Sequence, residues 1–253
     1  MADKPGKHTT FFELVDAQAK AGCPVCRLAY RSTDRYLDGL LYEAVLDPTV
    51  REKLKSSHGF CREHVTMLHG RPGRSLGVAL IYESILRRVT GIAAEGTLEA
   101  GTLGDRLRGR PSTGAPLAQS LRPSEPCPAC KIYEAAERNY TGLLASSIDD
   151  DRLAGPYAEG DGLCVPHLAM TLEQVRDEDT LQRIVQPQLT RYRTMLADLN
   201  EYIRKCDHRF RGEPFGPEGD VWLRAMNTMA GGAGMGLSAD HGGRSSQDLT
   251  ERR

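Results

Sequence analysis

Cysteine and histidine side chains recur along this chain in short motifs whose spacing suits metal binding. The first half contains a CPxC motif at Cys23–Cys26 and, about 34 residues later, a GxCxxH motif at Gly59–His64. The second half repeats both motifs at nearly equal spacing, at Cys127–Cys130 and Gly162–His167. Three thiols and one imidazole form a ligand set that zinc takes in tetrahedral structural sites. We therefore predict that the chain binds two metal ions and that both are zinc.

Because the spacing repeats as a unit, we predict that each half binds its own ion. The two predicted ligand sets are Cys23, Cys26, Cys61 and His64 in the first half, and Cys127, Cys130, Cys164 and His167 in the second. A second pairing stays open, in which intertwined halves join the CPxC of one half to the CxxH of the other. Four protein ligands leave no open coordination position, so the predicted zinc is structural and no catalytic residue is assigned.

Other uses of these cysteines stay open. An iron–sulfur cluster also takes thiolate ligands. A CPxC pair is also similar to the redox motif of thioredoxin-like proteins, but that motif belongs to an α/β pattern. Strand patterns are absent from this sequence, and a redox pair would not need the later cysteine and histidine. A redox or metal sensor, in which the thiolates themselves respond, is the first functional alternative.

Apolar residues recur at helical spacing through most of the chain. We predict longer helices over 11–20, 27–46, 75–94 and 180–205, and a short one over 220–229. Between 147 and 161, clustered aspartates and glycines predict a loop. Since no segment shows strand alternation, the predicted fold is all-α.

The CxxH motif is predicted to lie at the start of a helix. Positions i and i+3 share one face of a helix, so Cys61 and His64 can point at one ion. The free N–H groups and the positive dipole end of the first turn favour a thiolate there. Gly59 is predicted to end the preceding helix in the left-handed conformation. We predict a tight turn for the CPxC motif, set by its proline.

Matched positions predict an internal repeat. Tyr36 and Tyr140 follow their CPxC motifs at the same distance, and so do Leu40 and Leu144. The predicted fold is therefore two homologous helical halves, each with a Cys3His metal knuckle. The predicted segments are a first helical metal-binding repeat at 11–95, a Gly/Pro-rich linker at 96–122, a second repeat with a C-terminal extension at 123–229, and a disordered tail at 230–253.

Charge and hydropathy exclude several classes of protein. The 253 residues carry a net charge of -1, so no overall field attracts nucleic acid or an anionic membrane. The first ten residues lack the apolar core of a signal peptide, and no apolar run is long enough to span a bilayer. We therefore expect a cytoplasmic protein with no membrane partner, in which the cysteines stay reduced and serve as ligands.

A basic segment near the C-terminus holds the remaining candidate contacts. Arg204, Lys205, Arg209 and Arg211 are candidate anion-binding residues, and nucleic-acid binding through them is the second functional alternative. The favoured interpretation is a solvated helix end, whose cations suit the negative end of the helix dipole. Nucleic acid is therefore not the expected partner.

The sequence contains no catalytic signature that would assign a reaction. GxSxG, the phosphate-binding GxxxxGK[ST] and HExxH are all absent, and no GxGxxG follows a strand. We therefore predict a cytoplasmic zinc-stabilised scaffold or interaction module that acts through a protein partner, and not an enzyme.

The duplicated CPxC and GxCxxH motifs, together with KCDHRFRGEPFGPEGD at Lys205–Asp220, resemble an uncharacterised bacterial family known only as a domain of unknown function. The resemblance extends from about Phe11 to Met229. Some members of that family carry an automatic label as ABC-transporter substrate-binding proteins, which implies export, whereas a signal peptide is not apparent in this sequence. The resemblance implies no catalytic residues.

Overall fold

The computed structural model describes residues 9–69, 71, 73–99, 114–210 and 212–232, and these residues form an all-α fold without strands. The α-helices are α1 (Thr9–Gln18), α2 (Pro24–Glu43), α3 (Pro48–Ser56), α4 (Arg62–His69), α5 (Ser75–Glu99), α6 (Ala115–Ser120), α7 (Pro128–Ser147), α8 (Asp151–Glu159), α9 (Val165–Leu172), α10 (Glu178–Cys206) and α11 (Val221–Ala230). Short 3-10 helices span His208–Phe210 and Pro217–Asp220. Residues 100–113 of the predicted linker and 233–253 of the predicted tail lie outside the described residues.

The chain divides into two compact units, and one of them is discontinuous in sequence. Unit 1 combines the residues up to Arg31 with those from Glu134 onwards, and unit 2 is Ser32–Tyr133. Both boundaries fall inside helices, α2 and α7, so each of these helices contributes to both units. This division differs from the predicted one, which separates 11–95 from 123–229 at the linker.

Unit 1 has an apolar core built from both of its sequence segments. Phe11, Leu14 and Leu28 come from the N-terminal segment, and Tyr157 and Ile184 come from the C-terminal segment; all are 1% exposed or less. Fully burying a side chain of this size contributes about 1.5–3 kcal/mol. The core therefore fixes the N-terminal parts of α1 and α2 against α8 and α10.

Unit 2 has a second apolar core. Leu37 and Leu41 from the later part of α2 pack there with Leu54 of α3 and Ile81 and Ile85 of α5, and all five are buried. Cys127 and Ala129, at the start of α7, belong to the same cluster. The second CPxC motif is therefore built into the core of the unit that contains the first CxxH motif.

The segment between 147 and 161 forms α8, so the loop predicted there is wrong. The helix begins after Asp150, whose Oδ1 accepts a backbone N–H of the first turn at 3.0 Å. Leu153 and Tyr157 are fully buried, and their burial outweighs the low helix propensity of Gly155 and Pro156. A second proline, Pro187, lies inside α10.

None of the helices that the structure describes is both long enough and apolar enough to cross a membrane.

Candidate metal centres

Every candidate ligand pair lies at the N-terminus of a helix. The backbone carbonyls of Cys23, Cys61, Cys127 and Cys164 each accept the first helical hydrogen bond, from the N–H four residues later, at 2.8–3.4 Å. Each of these cysteines is thus an N-cap, and the second ligand of the pair follows in the first helical turn. The helical start predicted for the CxxH motif is confirmed at α4, and the CPxC motif uses the same geometry, with its proline at the first helical position.

The structure brings the eight residues together in two groups, and the pairing crosses the two sequence halves. Site 1 consists of Cys23, Cys26, Cys164 and His167. Site 2 consists of Cys61, His64, Cys127 and Cys130. The predicted pairing within each half is therefore wrong, and the alternative pairing is the one observed.

The crossed pairing follows from the helices that pack together in each unit. The starts of α2 and α9 meet in unit 1, where Cys26 and Cys164 place their sulfurs 3.7 Å apart. The starts of α4 and α7 meet in unit 2, where Cys61 and Cys130 place theirs 3.6 Å apart. Each unit thus contains one complete ligand set.

The ligand atoms of site 1 have the spacing of a small tetrahedron. The Nδ1 atom of His167 lies 3.5 Å from the sulfur of Cys23, 3.3 Å from that of Cys26 and 3.1 Å from that of Cys164. With Zn–S bonds of about 2.3 Å and a Zn–N bond of about 2.0 Å, tetrahedral zinc separates two sulfurs by about 3.8 Å and sulfur from nitrogen by about 3.5 Å. The residues therefore fit a single ion of this kind.

Site 2 has the same dimensions. The Nδ1 atom of His64 lies 3.0 Å from the sulfur of Cys61, 3.7 Å from that of Cys127 and 3.5 Å from that of Cys130. In both sites all four ligand atoms lie within 4.8 Å of one another. The two sites therefore offer equivalent donor sets.

The ligands of site 1 are almost completely buried, and the hydrogen bonds among them shift their pKa values. Burial raises the pKa of the Cys23 thiol, but hydrogen bonds with Cys164, Cys26 and His167 outweigh it and hold that pKa well below its usual range. Burial lowers the pKa of His167, but hydrogen bonds with Cys164, Cys23 and Glu137 raise it to about 11. A divalent cation that binds here would displace the protons of the imidazole and the thiols and would be held by the thiolates and the neutral imidazole.

A carboxylate outside the ligand set orients His167. Its Nε2 donates a hydrogen bond to Oε1 of Glu137 at 2.8 Å, which leaves Nδ1 facing the three thiols. A carboxylate behind a ligating histidine fixes the ring and raises its basicity. In site 2 the ring of His64 instead meets the ring of Tyr133 edge-on, with centroids 6.4 Å apart. Glu137 carries no signal in the sequence, because it lies in neither motif.

Two side chains of α10 hold the backbone that leads into Cys164. The buried amide of Gln188 donates to the carbonyl of Leu163 at 2.8 Å and accepts its N–H at 3.1 Å. The guanidinium of Arg191 donates to the carbonyl of Gly160 at 2.6 Å, and also to that of Tyr157. These contacts fix the loop before α9 and therefore the position of its first ligand.

The end of α11 closes over site 1. The N–H of Gly232 donates to the sulfur of Cys26 at 3.2 Å. At Gly231, a Cβ atom would lie 3.4 Å from the sulfur of Cys164, and its φ of 78° favours glycine. The chain can therefore pass directly over the thiols and donate a backbone hydrogen bond to one of them.

A cavity of about 500 Å³ borders site 1 between the loops before Cys23 and Cys164 and helix α11. Its carboxylates are engaged: Asp161 accepts the N–H of Gly22 at 2.6 Å, and Asp220 accepts from Arg224 at 2.9 Å. Cys23 and Cys164 border the cavity, but each is only 2% exposed. The cavity therefore gives little access to the sulfur atoms.

Site 2 is more open to solvent than site 1. Cys61 and Cys130 are partly exposed, whereas every ligand of site 1 is 3% exposed or less. Burial, a hydrogen bond with Cys61 and the neighbouring thiols raise the pKa of Cys130 to about 12. The two sites therefore share a donor set but differ in their surroundings.

The basic segment at the C-terminal end of α10 and just beyond it packs against carboxylates of the chain itself. Arg204 donates to Glu201 at 2.8 Å and also to Glu213, while Lys205 donates to Glu218 at 2.6 Å. Arg209 forms an ion pair with Asp207 at 2.7 Å. The candidate anion-binding residue Arg211 lies outside the described residues. The three described candidates, Arg204, Lys205 and Arg209, thus already have carboxylate partners within the chain.

Comparisons with known proteins place the chain in a family. A family model described as a family of unknown function, DUF6062, matches residues 9–235. The chain is 37% identical over 65 residues to an uncharacterised 23.9 kDa protein from Caldicellulosiruptor sp. (strain Rt8B.4), encoded in the xynA 3' region. That alignment covers 26% of this chain and 31% of the relative, so the match is to a part of that protein. No solved structure matches the chain.

The matched region includes all eight residues of sites 1 and 2 and the glycines that close site 1. The family match agrees with the resemblance drawn from the duplicated motifs and the basic segment. The chain belongs to the DUF6062 family, whose function is unknown.

Proposed function

We propose that the chain binds two zinc ions, one at site 1 and one at site 2, and that both ions are structural. The observation that carries this proposal is the spacing of the ligand atoms. The sulfur–nitrogen and sulfur–sulfur distances given above for the two sites are 3.0–3.7 Å. These distances are close to the edges of a zinc tetrahedron, at about 3.5–3.8 Å. Four protein ligands fill the coordination sphere, which favours a structural over a catalytic ion.

The same distances disfavour an iron–sulfur cluster. Such a cluster spreads its thiolates over several iron atoms and therefore needs ligands that are farther apart than those of one ion. Here all four donor atoms lie within 4.8 Å of one another. The mixed set of three sulfurs and one nitrogen also suits zinc, which binds both donor types.

The proposed ions join segments that are distant in sequence. At site 1 the sulfurs of Cys26 and Cys164 belong to residues 138 positions apart, and at site 2 those of Cys61 and Cys130 belong to residues 69 apart. Structural zinc in finger peptides contributes on the order of 10–16 kcal/mol, against about 5–15 kcal/mol for the stability of a whole domain. Each ion is therefore expected to decide whether its unit folds.

The role that fits two filled metal sites is a zinc-stabilised helical scaffold that acts through a protein partner. Zinc–thiolate sites of this kind suit a reducing compartment such as the cytoplasm, where cysteines are kept as thiols. Among the described residues, Trp222, Met226 and Met229 project partly exposed apolar side chains from α11, at helical spacing. Exposed apolar surface of this kind is what a scaffold would present to other proteins.

Metal analysis of the purified chain tests the proposal. Protein prepared anaerobically should contain about two zinc ions per chain and show no visible absorption. Removal of zinc by a strong chelator should reduce helicity, measured by far-ultraviolet circular dichroism, and re-addition of zinc should restore it. Stoichiometric iron with visible absorption would replace zinc by iron, and a metal-free folded protein would refute the proposal.

A further inference from the structure

The two metal centres differ in how well they shield their thiols. In site 1, Cys23, Cys26 and Cys164 are 2%, 1% and 2% exposed, and the N–H of Gly232 donates to one of the sulfurs. In site 2, Cys61 and Cys130 are both partly exposed. Within the described part of the chain, the sulfurs of site 2 have no hydrogen-bond donor other than the ligands themselves.

The two partly exposed thiols of site 2 are also neighbours. The sulfurs of Cys61 and Cys130 lie 3.6 Å apart, so only a local movement is needed to bring them to the bonding distance of about 2.05 Å. Site 1 contains a pair at almost the same distance, Cys26 and Cys164 at 3.7 Å, but both sulfurs are buried. Access to solvent, and not proximity, is therefore what distinguishes the sites.

We propose that site 2 is an oxidation site, at which a peroxide converts Cys61 and Cys130 into a disulfide and releases the zinc ion, while site 1 keeps its ion. This inference rests on the proposed zinc binding. A cysteine bound to zinc is held as a thiolate, whatever its pKa without the metal. Thiolates that are accessible to solvent and beside a second cysteine are the ones that oxidants attack first. The zinc of site 2 thus reports the presence of peroxide, and the zinc of site 1 holds its own unit folded.

The reaction takes two steps and balances without another reactant. The sulfur of one thiolate attacks a peroxide oxygen, the O–O bond breaks, and the sulfur becomes a sulfenic acid as hydroxide leaves. The second thiolate attacks that sulfur, the S–O bond breaks, and a second hydroxide leaves as the disulfide forms. The two sulfurs lose two electrons in total, the peroxide gains them, and solvent protons convert hydroxide into water. His64 and Cys127 alone no longer hold the ion, since two of its four ligands are lost.

The experiment uses the full chain with its two zinc ions and with Cys206→Ser, because Cys206 is exposed and belongs to neither site. Hydrogen peroxide is added, and released zinc is followed with a chromogenic chelator. We expect the ion of site 2 to leave at least about tenfold faster than the ion of site 1. Peptide mass spectrometry after alkylation should find the Cys61–Cys130 disulfide and intact thiols at Cys26 and Cys164. A thiol reductant should restore zinc binding.

Two single-site variants assign the ions. Cys164→Ser should leave one ion that peroxide releases, and Cys130→Ser should leave one ion that resists peroxide. Should either variant fail to fold, the disulfide mapping in the otherwise unchanged chain still decides the question. Release of both ions at one rate, earlier release from site 1, or retention of both ions would overturn the inference while leaving the proposed zinc binding intact. Protein purified without zinc would refute the proposed function instead.

Discussion

The Nε2 atom of His167 lies 2.8 Å from Oε1 of Glu137, whereas its Nδ1 atom faces the three thiols of site 1. This contact fixes which ring nitrogen can bind a metal, because the nitrogen that donates to the carboxylate keeps its proton. Glu137 is thus a positioning residue for site 1, since it acts through His167.

Glu137→Gln should weaken zinc binding at site 1 by about 10–100-fold, the usual effect of losing a partner behind a metal ligand. Site 2 should be unaffected, since Glu137 belongs to the other unit. Competition with a chelator of known affinity measures both sites. Glu134→Gln is the matched control, because Glu134 lies on the same helix with its side chain 59% exposed. Equal weakening by both variants would show that the carboxylate does not act through His167.

The crossed pairing can be tested by counting ions in double variants. Cys26→Ser with Cys164→Ser removes two ligands of site 1 and should cost one zinc ion per chain. Cys26→Ser with Cys61→Ser removes one ligand from each site and should cost both ions. Pairing within each sequence half would reverse these two results. Elemental analysis of the two purified proteins gives the answer directly.

Gln188 should matter for both stability and metal binding. Gln188→Ala removes the hydrogen bonds to both backbone groups of Leu163 and leaves those groups buried and unpaired. Each of the two buried unpaired groups costs about 1–3 kcal/mol, so the free energy of unfolding should fall by roughly 2–6 kcal/mol. Site 1 should also bind zinc more weakly, because the loop before Cys164 is released.

Gln186→Ala is the control for this variant. Gln186 is exposed on the same helix, and its amide donates to the exposed side chain of Gln182, at 2.9 Å. Denaturant unfolding of the zinc-loaded proteins should show little change for Gln186→Ala. If the two variants were equally stable, the proposed role of Gln188 would be wrong.

Glu218 should make stability depend on pH in the acidic range. Hydrogen bonds from the N–H of Gly216 and from Lys205 lower its pKa to about 2 in the folded chain. The pKa of an unfolded-state glutamate is about 4.3. Because the folded pKa is the lower one, the stabilisation is present above the unfolded pKa and is lost as the pH falls towards 2.

Glu218→Gln should therefore lower the unfolding free energy at neutral pH, and its difference from the unchanged chain should shrink as the pH falls from about 4.5 to 2. Acidification protonates the proposed metal ligands of both proteins alike, so the difference between the two proteins is the quantity to follow. The exposed Glu159→Gln serves as the control. A difference that stayed constant across this range would contradict the depressed pKa.

The sequence by itself determined the all-α class and the eight clustered cysteines and histidines, because both signals are local. The helical spacing of apolar residues can be read within each segment alone. A ligand pair at i and i+3 shares one face of a single helix, so its two side chains can point at one ion without help from the rest of the fold. Gly59 shows the same locality, since its φ of 84° is the left-handed conformation predicted from its place after α3. The identity of the metal stays a prediction, and the internal repeat is likewise untested.

Only the tertiary structure decided which ligand pairs meet. The spacing from Cys26 to Cys61 is nearly the same as the spacing from Cys130 to Cys164. Local geometry therefore cannot distinguish pairing within a half from pairing across halves. The choice depends on the helix starts that pack in each unit, which is a long-range property of the two cores. For the same reason Glu137 and Gln188 had no recognisable signal: their roles come from contacts with residues 25–30 positions away. In α8, likewise, the burial of Leu153 and Tyr157 overrides local propensity.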